Sequence, residues 1–291
     1  MTAPTPPAEP REPAAAPELR VAAIQAASAL EPAVNRAALA PLVQRAVDTA
    51  PGGLDLVVLP EAFARDFGEA GSDVAPFAEP VDGAFASALA AEAERHGTSV
   101  VAGMFERGPD AARPYNTLVL RGAAHADYRK VHLSDSCGYR ESDRLSAGAV
   151  APRVVEVAGW RVGLMTCYDL RFPELARALV DRGAEVLVVP AAWVAGPRKV
   201  DHWRTLLLAR AIENTVFVVA AGQPAPRYTG HSMVIDPAGD VLAEAGAGSA
   251  DLPVERSEVA AAVLRRDVLD DVRRTNPSLA NRRLPGARGT A

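Results

Sequence analysis

VVEVAGWRVGLMTCYDLRFPEL, residues 154–175, is the stretch on which the fold turns. Its first fourteen residues predict two strands around the Ala158-Gly159 turn. A helix is expected from Phe172 to Arg182, with Pro173 at a tolerated first-turn position and Gly183 just past the end. Strands that feed helices in this way are the unit of an α/β chain. The unit recurs downstream, where EVLVVPAAW (185–193) predicts a buried strand, HWRTLLLARAIEN (202–214) an amphipathic helix and TVFVVAAG (215–222) a further strand. HSMVID (231–236), DVLAEA (240–245) and EVAAAVL (258–264) read as strands, and DVLDDVRR (267–274) as a short helix. Upstream, LRVAAIQ (19–25) predicts a strand and residues 33–49 a helix. LDLVVLP (54–60) is a continuous apolar run stopped by Pro60, which suits a strand buried on both faces. A helix over 84–95 should end at Gly97. TSVVAGM (98–104) and YNTLVLR (115–121) are strands, and AHADYRKV (124–131) pairs back as a hairpin. Helices alternate with strands and hairpins are mixed in. The chain is therefore α/β, with one mixed sheet or two sheets with helices outside.

Composition sets the outer limits. The 291 residues are 49% hydrophobic and 23% charged, which excludes a wholly disordered chain, a collagen and a coiled coil. A net charge of -5 and a pI of about 5.6 offer no broad basic surface to nucleic acid. No apolar run approaches the ~18–20 residues that span a bilayer. Two cysteines, Cys137 and Cys167, exclude a disulfide scaffold and a four-cysteine zinc site. Residues 1–18 are Pro/Ala-rich with no apolar core of a secretory signal, so a disordered tail and a cytoplasmic location are expected. Residues 19–265 carry no low-complexity linker and read as one domain, followed by a C-terminal arm over 266–291. Of 31 basic residues only Lys130 and Lys199 are lysines, which raises the question of why arginine does not serve there.

Several positions could carry chemistry. Cys167 falls at a strand-to-helix turn, near N–H groups that favour the thiolate, so its thiol is expected to be acidified. A buried structural cysteine is the alternative on position alone. Glu61 follows directly on the strand 54–60, at the edge where α/β ligand sites form, and suits a general base. Lys130 ends the strand ADYRK and could stabilise an oxyanion as a compact charge. Glu141 lies in the turn-rich loop GYRESDRLSAG between the lysine and cysteine segments. Against these stand plain surface or capping roles, the usual fate of single charged residues. GxGxxG after a strand, GxxxxGK[ST], HExxH and GxSxG are all missing, and the five histidines show no metal-ligand spacing.

LPEAF (59–63), YRKVHL (128–133) and GLMTCYDLRFPEL (163–175), in that order, resemble the three signature segments of the nitrilase superfamily of carbon-nitrogen hydrolases. YNTLVL (115–120), PAAW (190–193), HWRTLLLARAIEN and GHSMVIDPAGD (230–240) extend the resemblance over about residues 19–265. It implies a four-layer α-β-β-α sandwich of two mixed sheets flanked by helices. It implies Glu61 as base, Lys130 as oxyanion stabiliser, Cys167 as nucleophile and Glu141 as a second glutamate supporting lysine and water. The backbone N–H of Tyr168 would share the oxyanion. No metal or cofactor is implied. A homodimer is, through the helix after the cysteine, with the C-terminal arm near the partner. CYDLRFPEL looks most like the amidase branch related to ω-amidases and deaminated glutathione amidases, because Tyr168-Asp169 follows the cysteine where true nitrilases have Trp-Glu. GPRKVDHW (196–203) departs from the Thr-Gly that precedes His-Trp in that branch.

The expected reaction is release of ammonia and a carboxylate from a small dicarboxylic amide through a thioester. Arg171 would bind the substrate carboxylate, unless an acidic neighbour of the protein pairs with it. Trp193 would wall the acyl pocket or simply fill the core. Two alternatives are an N-carbamoyl amino acid hydrolase in the same scaffold and an inactive dimeric scaffold or binding protein.

Overall fold

Unbroken apolar runs become strands buried on both faces. In β1 (Glu18–Gln25) Val21 and Ala23 belong to one hydrophobic cluster and Ala22 and Ile24 to another. In β2 (Leu56–Val58) Leu56 and Val58 face the first cluster and Val57 the second. The period of two therefore sorts side chains between two cores rather than between core and water. The structure is a computed structural model that describes residues 17–136 and 139–284. The Pro/Ala-rich tail lies outside these up to residue 16, and so does Cys137.

The first sheet has the order β14-β1-β2-β3-β4-β5, with β3 (Ser99–Glu106), β4 (Tyr115–Arg121), β5 (Ala126–Arg129) and β14 (Glu258–Arg265). The second has the order β13-β12-β11-β10-β9-β8. It contains β8 (Val154–Val157), β9 (Trp160–Leu164), β10 (Val186–Ala191), β11 (Phe217–Gly222), β12 (Met233–Ile235) and β13 (Val241–Glu244). A two-residue hairpin, β6 (Asp135–Ser136) and β7 (Tyr139–Arg140), stands apart. Both large sheets are mixed. β1, β2 and β3 run parallel, β4 runs against β3 and β5 against β4. β5 thus runs with β2, so residues 61 and 130 leave the sheet at the same edge.

Helices cover both outer faces, so the order of layers is α-β-β-α. Leu39, Leu42 and Val43 of α1 (Pro32–Asp48) and Phe85 and Leu89 of α2 (Ala84–His96) pack on the outer side of the first sheet. Gly97 caps α2 with φ +62°, a left-handed conformation that suits glycine. Leu175 and Leu179 of α3 (Pro173–Asp181) and Leu207 and Ala211 of α4 (Lys199–Asn214) join the core of the second sheet. α4 starts at Lys199, earlier than the pattern 202–214 indicates, because the left-handed Arg198 turns the chain into the helix.

The domain boundaries shift slightly. β1 begins at Glu18, inside the expected tail, and pairs there with Arg265. Of the expected C-terminal arm, α5 (Arg266–Thr275) lies against its own chain. Leu269 is fully buried and the Arg266 guanidinium stands 4.2 Å from the Trp160 ring centroid. Among the described residues no helix is long and apolar enough to cross a membrane.

Candidate active site

Pro60 ends the apolar run after β2, and Ala62 takes a left-handed φ of +53° immediately beyond Glu61. The segment 59–64 is sewn to β3 by three backbone bonds: Leu59 to Val101 O, Gly103 to Pro60 O and Ala64 to Gly103 O. This close approach requires glycine at 103, because a Cβ there would stand 2.4 Å from Ala62 N. Glu61 is consequently held in the interior, 1% exposed.

Lys130 follows β5, where its N–H donates to Asn116 O and its C=O accepts from Gly148. Its ammonium donates to Glu61 Oε1 at 2.9 Å and to Glu141 Oε1 and Oε2 at 3.0 and 2.9 Å. Lys130 and Glu141 are each 2% exposed. Glu141 reaches inward from the turn Glu141–Asp143, where Ser134 N–H donates to its Oε2 at 2.6 Å. Two buried carboxylates around one ammonium leave an uncompensated negative charge, which costs energy unless polar groups offset it. Ala192 N–H donates to Glu61 Oε2 at 2.8 Å, and Asn116 Nδ2 donates to Glu61 Oε1 at 2.7 Å and Glu141 Oε1 at 3.3 Å. Burial works against the Lys130 charge, but Glu141 and Glu61 outweigh it and hold the ammonium well above the usual lysine range.

Cys167 stands at the expected strand-to-helix junction, but not at the start of a long helix. A 3-10 turn, Cys167–Arg171, intervenes before α3, and Cys167 itself has φ +44°. The expectation of an acidified thiol is overturned. Burial pushes the thiol well above its ordinary value and the nearby Glu61 carboxylate adds to that, while Lys130 opposes both. The resting group is a neutral thiol beside a carboxylate that can accept its proton.

A cavity of about 840 Å³ opens on these residues. Glu61, Lys130, Glu141 and Cys167 line its polar part, and Tyr168, Arg171 and Trp193 its wall. The Tyr168 N–H has no acceptor among the described residues, as an oxyanion donor requires. The Arg171 guanidinium stands 4.7 Å from the Trp193 ring centroid, and Lys199 Nζ lies 5.7 Å from the same ring. Among the described residues neither cation has an ion-pair partner, so the salt bridge weighed for Arg171 does not form. Arg227, also in the wall, is paired with Asp66 at 2.9 Å. Trp193 serves as wall and core together, since it is buried and packs at a tilt against Trp203, with ring centroids 5.4 Å apart. No cluster of three or more His, Cys, Asp or Glu side chains among the described residues could hold a metal ion.

Residue type alone does not mark Asn116 as a site residue, although it lies in the strand expected over 115–121. A buried amide inside the apolar run YNTLVLR was the available signal. The backbone N–H of Ala192 left no signal in sequence.

Comparison with known proteins bears on the family and the fold. The family model described as carbon-nitrogen hydrolase matches residues 20–271. A deaminated glutathione amidase of Escherichia coli O157:H7 is 44% identical over 199 residues, covering 67% of this chain and 75% of that one. One of Synechocystis sp. (strain PCC 6803 / GT-S) is 40% identical over 252 residues, covering 79% and 86%. Among solved structures, Saccharomyces cerevisiae Nit3, a member of branch 10 of the nitrilase superfamily, superposes with a TM-score of 0.79 at 27% identity, covering 92% and 97%.

Proposed function

The chain belongs to the carbon-nitrogen hydrolase family and acts on amides, and from that premise we propose that it cleaves them through Cys167 and prefers an acyl chain ending in a carboxylate. One observation carries this reading. The Lys130 ammonium is clamped between Glu61 and Glu141 in the same cavity as the Cys167 thiol, and Arg171, a cation without an ion-pair partner among the described residues, lies on the wall.

The steps follow from the atoms in place. Cys167 Sγ attacks the amide carbonyl carbon as Glu61 takes the thiol proton. Lys130 and the Tyr168 N–H stabilise the oxyanion; removal of one such donor typically costs ~10²–10³ in rate. The C–N bond breaks as Glu61 returns the proton to the leaving nitrogen, and a thioester remains on Cys167. Glu61 then takes a proton from water as it attacks the thioester carbonyl, and the carboxylic acid leaves with the proton restored to sulfur. Glu141 holds Lys130 in line throughout. At the far end, the Arg171 fork suits a carboxylate, with Trp193 beneath both.

The relatives named deaminated glutathione amidase support an ω-amide whose acyl part bears a carboxylate. A primary amide of that kind releases ammonia; an N-substituted one, such as deaminated glutathione, releases an amine. The purified protein should therefore be offered α-ketoglutaramate, deaminated glutathione, simple aliphatic amides, a nitrile and an N-carbamoyl amino acid. Ammonia is read for the first and a new primary amine for the second. Turnover of either dicarboxylic amide is expected, with loss to background in Cys167→Ala and a KM increase of about tenfold or more in Arg171→Ala. Turnover retained by Cys167→Ala overturns the nucleophile, and preference for the aliphatic amides overturns the carboxylate.

A further inference from the structure

The proposed reaction leaves one buried carboxylate at the site unused. Asp169 is fully buried, two residues beyond Cys167. Its Oδ1 accepts the His132 N–H at 3.0 Å and faces His132 Nδ1 at 2.7 Å. Its Oδ2 accepts the Tyr128 hydroxyl at 2.7 Å and the Thr166 N–H at 3.0 Å. The geometry of these contacts straddles both reacting groups. Tyr128 and His132 stand two residues before and two residues after Lys130, and Thr166 immediately precedes Cys167. Among the described residues no other hydrogen bond joins the segment 128–132 to the turn 166–169.

We propose that Asp169 is a positioning residue that fixes the Lys130 ammonium relative to the Cys167 thiol, with Tyr128 and His132 as its anchors on the lysine side. The inference rests on reading Lys130 and Cys167 as the reacting pair. Each end of the clamp is chemically defined. On the cysteine side, the Thr166 N–H donates to Asp169 Oδ2 and the Asp169 N–H donates to Thr166 O at 2.9 Å, which closes the turn around Cys167 in its left-handed conformation, one a non-glycine residue holds only when its surroundings impose it. On the lysine side, burial and the Asp169 charge keep the Tyr128 phenol well above its usual range, so the hydroxyl stays a donor. The His132 ring must carry its proton on Nδ1, because a carboxylate only accepts. That ring lies flat on Phe172, with centroids 3.9 Å apart and planes at 8°, which fixes its direction. Of the other partners of Lys130, Glu61 reaches the turn only at the reacting Cys167 thiol itself, and among the described residues Glu141 makes no hydrogen bond to it. Among the described residues Asp169 is the side chain that ties the backbone segment carrying Lys130 to the backbone turn carrying Cys167. An asparagine at 169 keeps the shape but turns one end into an amino group facing two donors.

Asp169→Asn and Tyr128→Phe test the assignment in the full-length protein. Three quantities are read: kcat and KM with the amide the protein turns over, the pH dependence of Cys167 alkylation by iodoacetamide, and the thermal midpoint. Asp169→Asn should lower kcat by ~10²-fold, the scale of a small misplacement of reacting groups, with KM changed less than about threefold. Its alkylation midpoint should move to higher pH, because Lys130 is no longer held where it lowers the thiol pKa. Tyr128→Phe, which removes one of the four contacts, should lower kcat about tenfold in the same direction. A purely structural Asp169 would lower the thermal midpoint and the fraction of alkylatable sites, yet leave kcat per alkylatable site and the alkylation profile at wild-type values. That result overturns the proposal. If Asp169→Asn does not fold, Tyr128→Phe decides by the same measurements. Alkylation needs no substrate, so a wrong substrate class leaves the test intact, and a wrong nucleophile shows separately as turnover by Cys167→Ala.

Discussion

The thiol of Cys167 shows how a residue's chemistry depends on what surrounds it. Its place at a strand-to-helix junction was readable from GLMTCYDLRFPEL, and so were Glu61, Lys130 and Glu141 from their own segments. Its protonation was not, because the N–H groups of a turn are local and burial is not. The dominant influence on the thiol is loss of water, and the next is the Glu61 carboxylate, 106 positions away in the chain. The sign of a charge change follows. Glu61 raises the thiol pKa, so Glu61→Gln should move the pH midpoint of iodoacetamide alkylation downward. The same variant should lose amide turnover by ~10²–10⁴-fold, because the proton acceptor is gone. More thiolate with less catalysis is the expected combination. An unchanged or higher alkylation midpoint would show that the carboxylate does not face the thiol. Lys199 answers in part the question its rarity poses: it lies beside Trp193 in the same cavity as Lys130.

Elements with an unbroken apolar run or a helical period were legible; short turns that place a single atom were not. The strands β1, β3, β4, β9, β10 and β11 fall within one to three residues of their sequence signals, since burial on both faces selects apolar residues throughout. The 3-10 turn Cys167–Arg171 and the hairpin before Glu141 carry no period and leave none to read. Between these extremes sits β3, which is legible as a strand but not as the support of Glu61. Gly103 lets it approach the 59–64 segment so closely that an added Cβ would meet Ala62 N at 2.4 Å and Glu61 Cα at 2.8 Å. Both are backbone atoms that cannot turn aside. Gly103→Ala should therefore cost about 1–3 kcal/mol by the urea midpoint, as overpacking does, and should lower kcat by displacing Glu61. Gly246→Ala is the matched control, since its nearest neighbour would be Glu258 Oε1 at 3.8 Å and no positive φ is involved. Equal stability and turnover in the two variants would remove β3 from the account of the site.

At the scale of the molecule the two sheets repeat one topology. β1 to β5 and β9 to β13 share the same sequence of parallel, parallel, antiparallel and antiparallel pairings. β8 pairs antiparallel with β9, and the C-terminal β14 takes the corresponding place beside β1. Such symmetry leaves little trace in residues, because a buried strand asks only for apolar side chains, and many sequences satisfy it. The repeat stops at the surface. On the outer side of the second sheet, Ile212 of α4 is 46% exposed, and it lies against the turn at Gly239, where an added Cβ would stand 2.7 Å from its Cδ1. Val241 and Leu242, just past that turn, are exposed as well. An exposed aliphatic side chain on α4 suits a protein interface, and α4 packs beside α3, the helix after the cysteine through which the sequence resemblance implies a homodimer. Light scattering coupled to gel filtration should give about twice the 30.5 kDa chain mass for the wild type at micromolar concentration. Ile212→Arg should shift that mass toward the monomer while keeping the far-UV circular dichroism of the parent, because from a half-exposed position an arginine can lay its stem along the turn at Gly239 and turn its charged head to solvent. A wild type that elutes as a monomer, or an Ile212→Arg variant that stays dimeric, would remove this face from the interface.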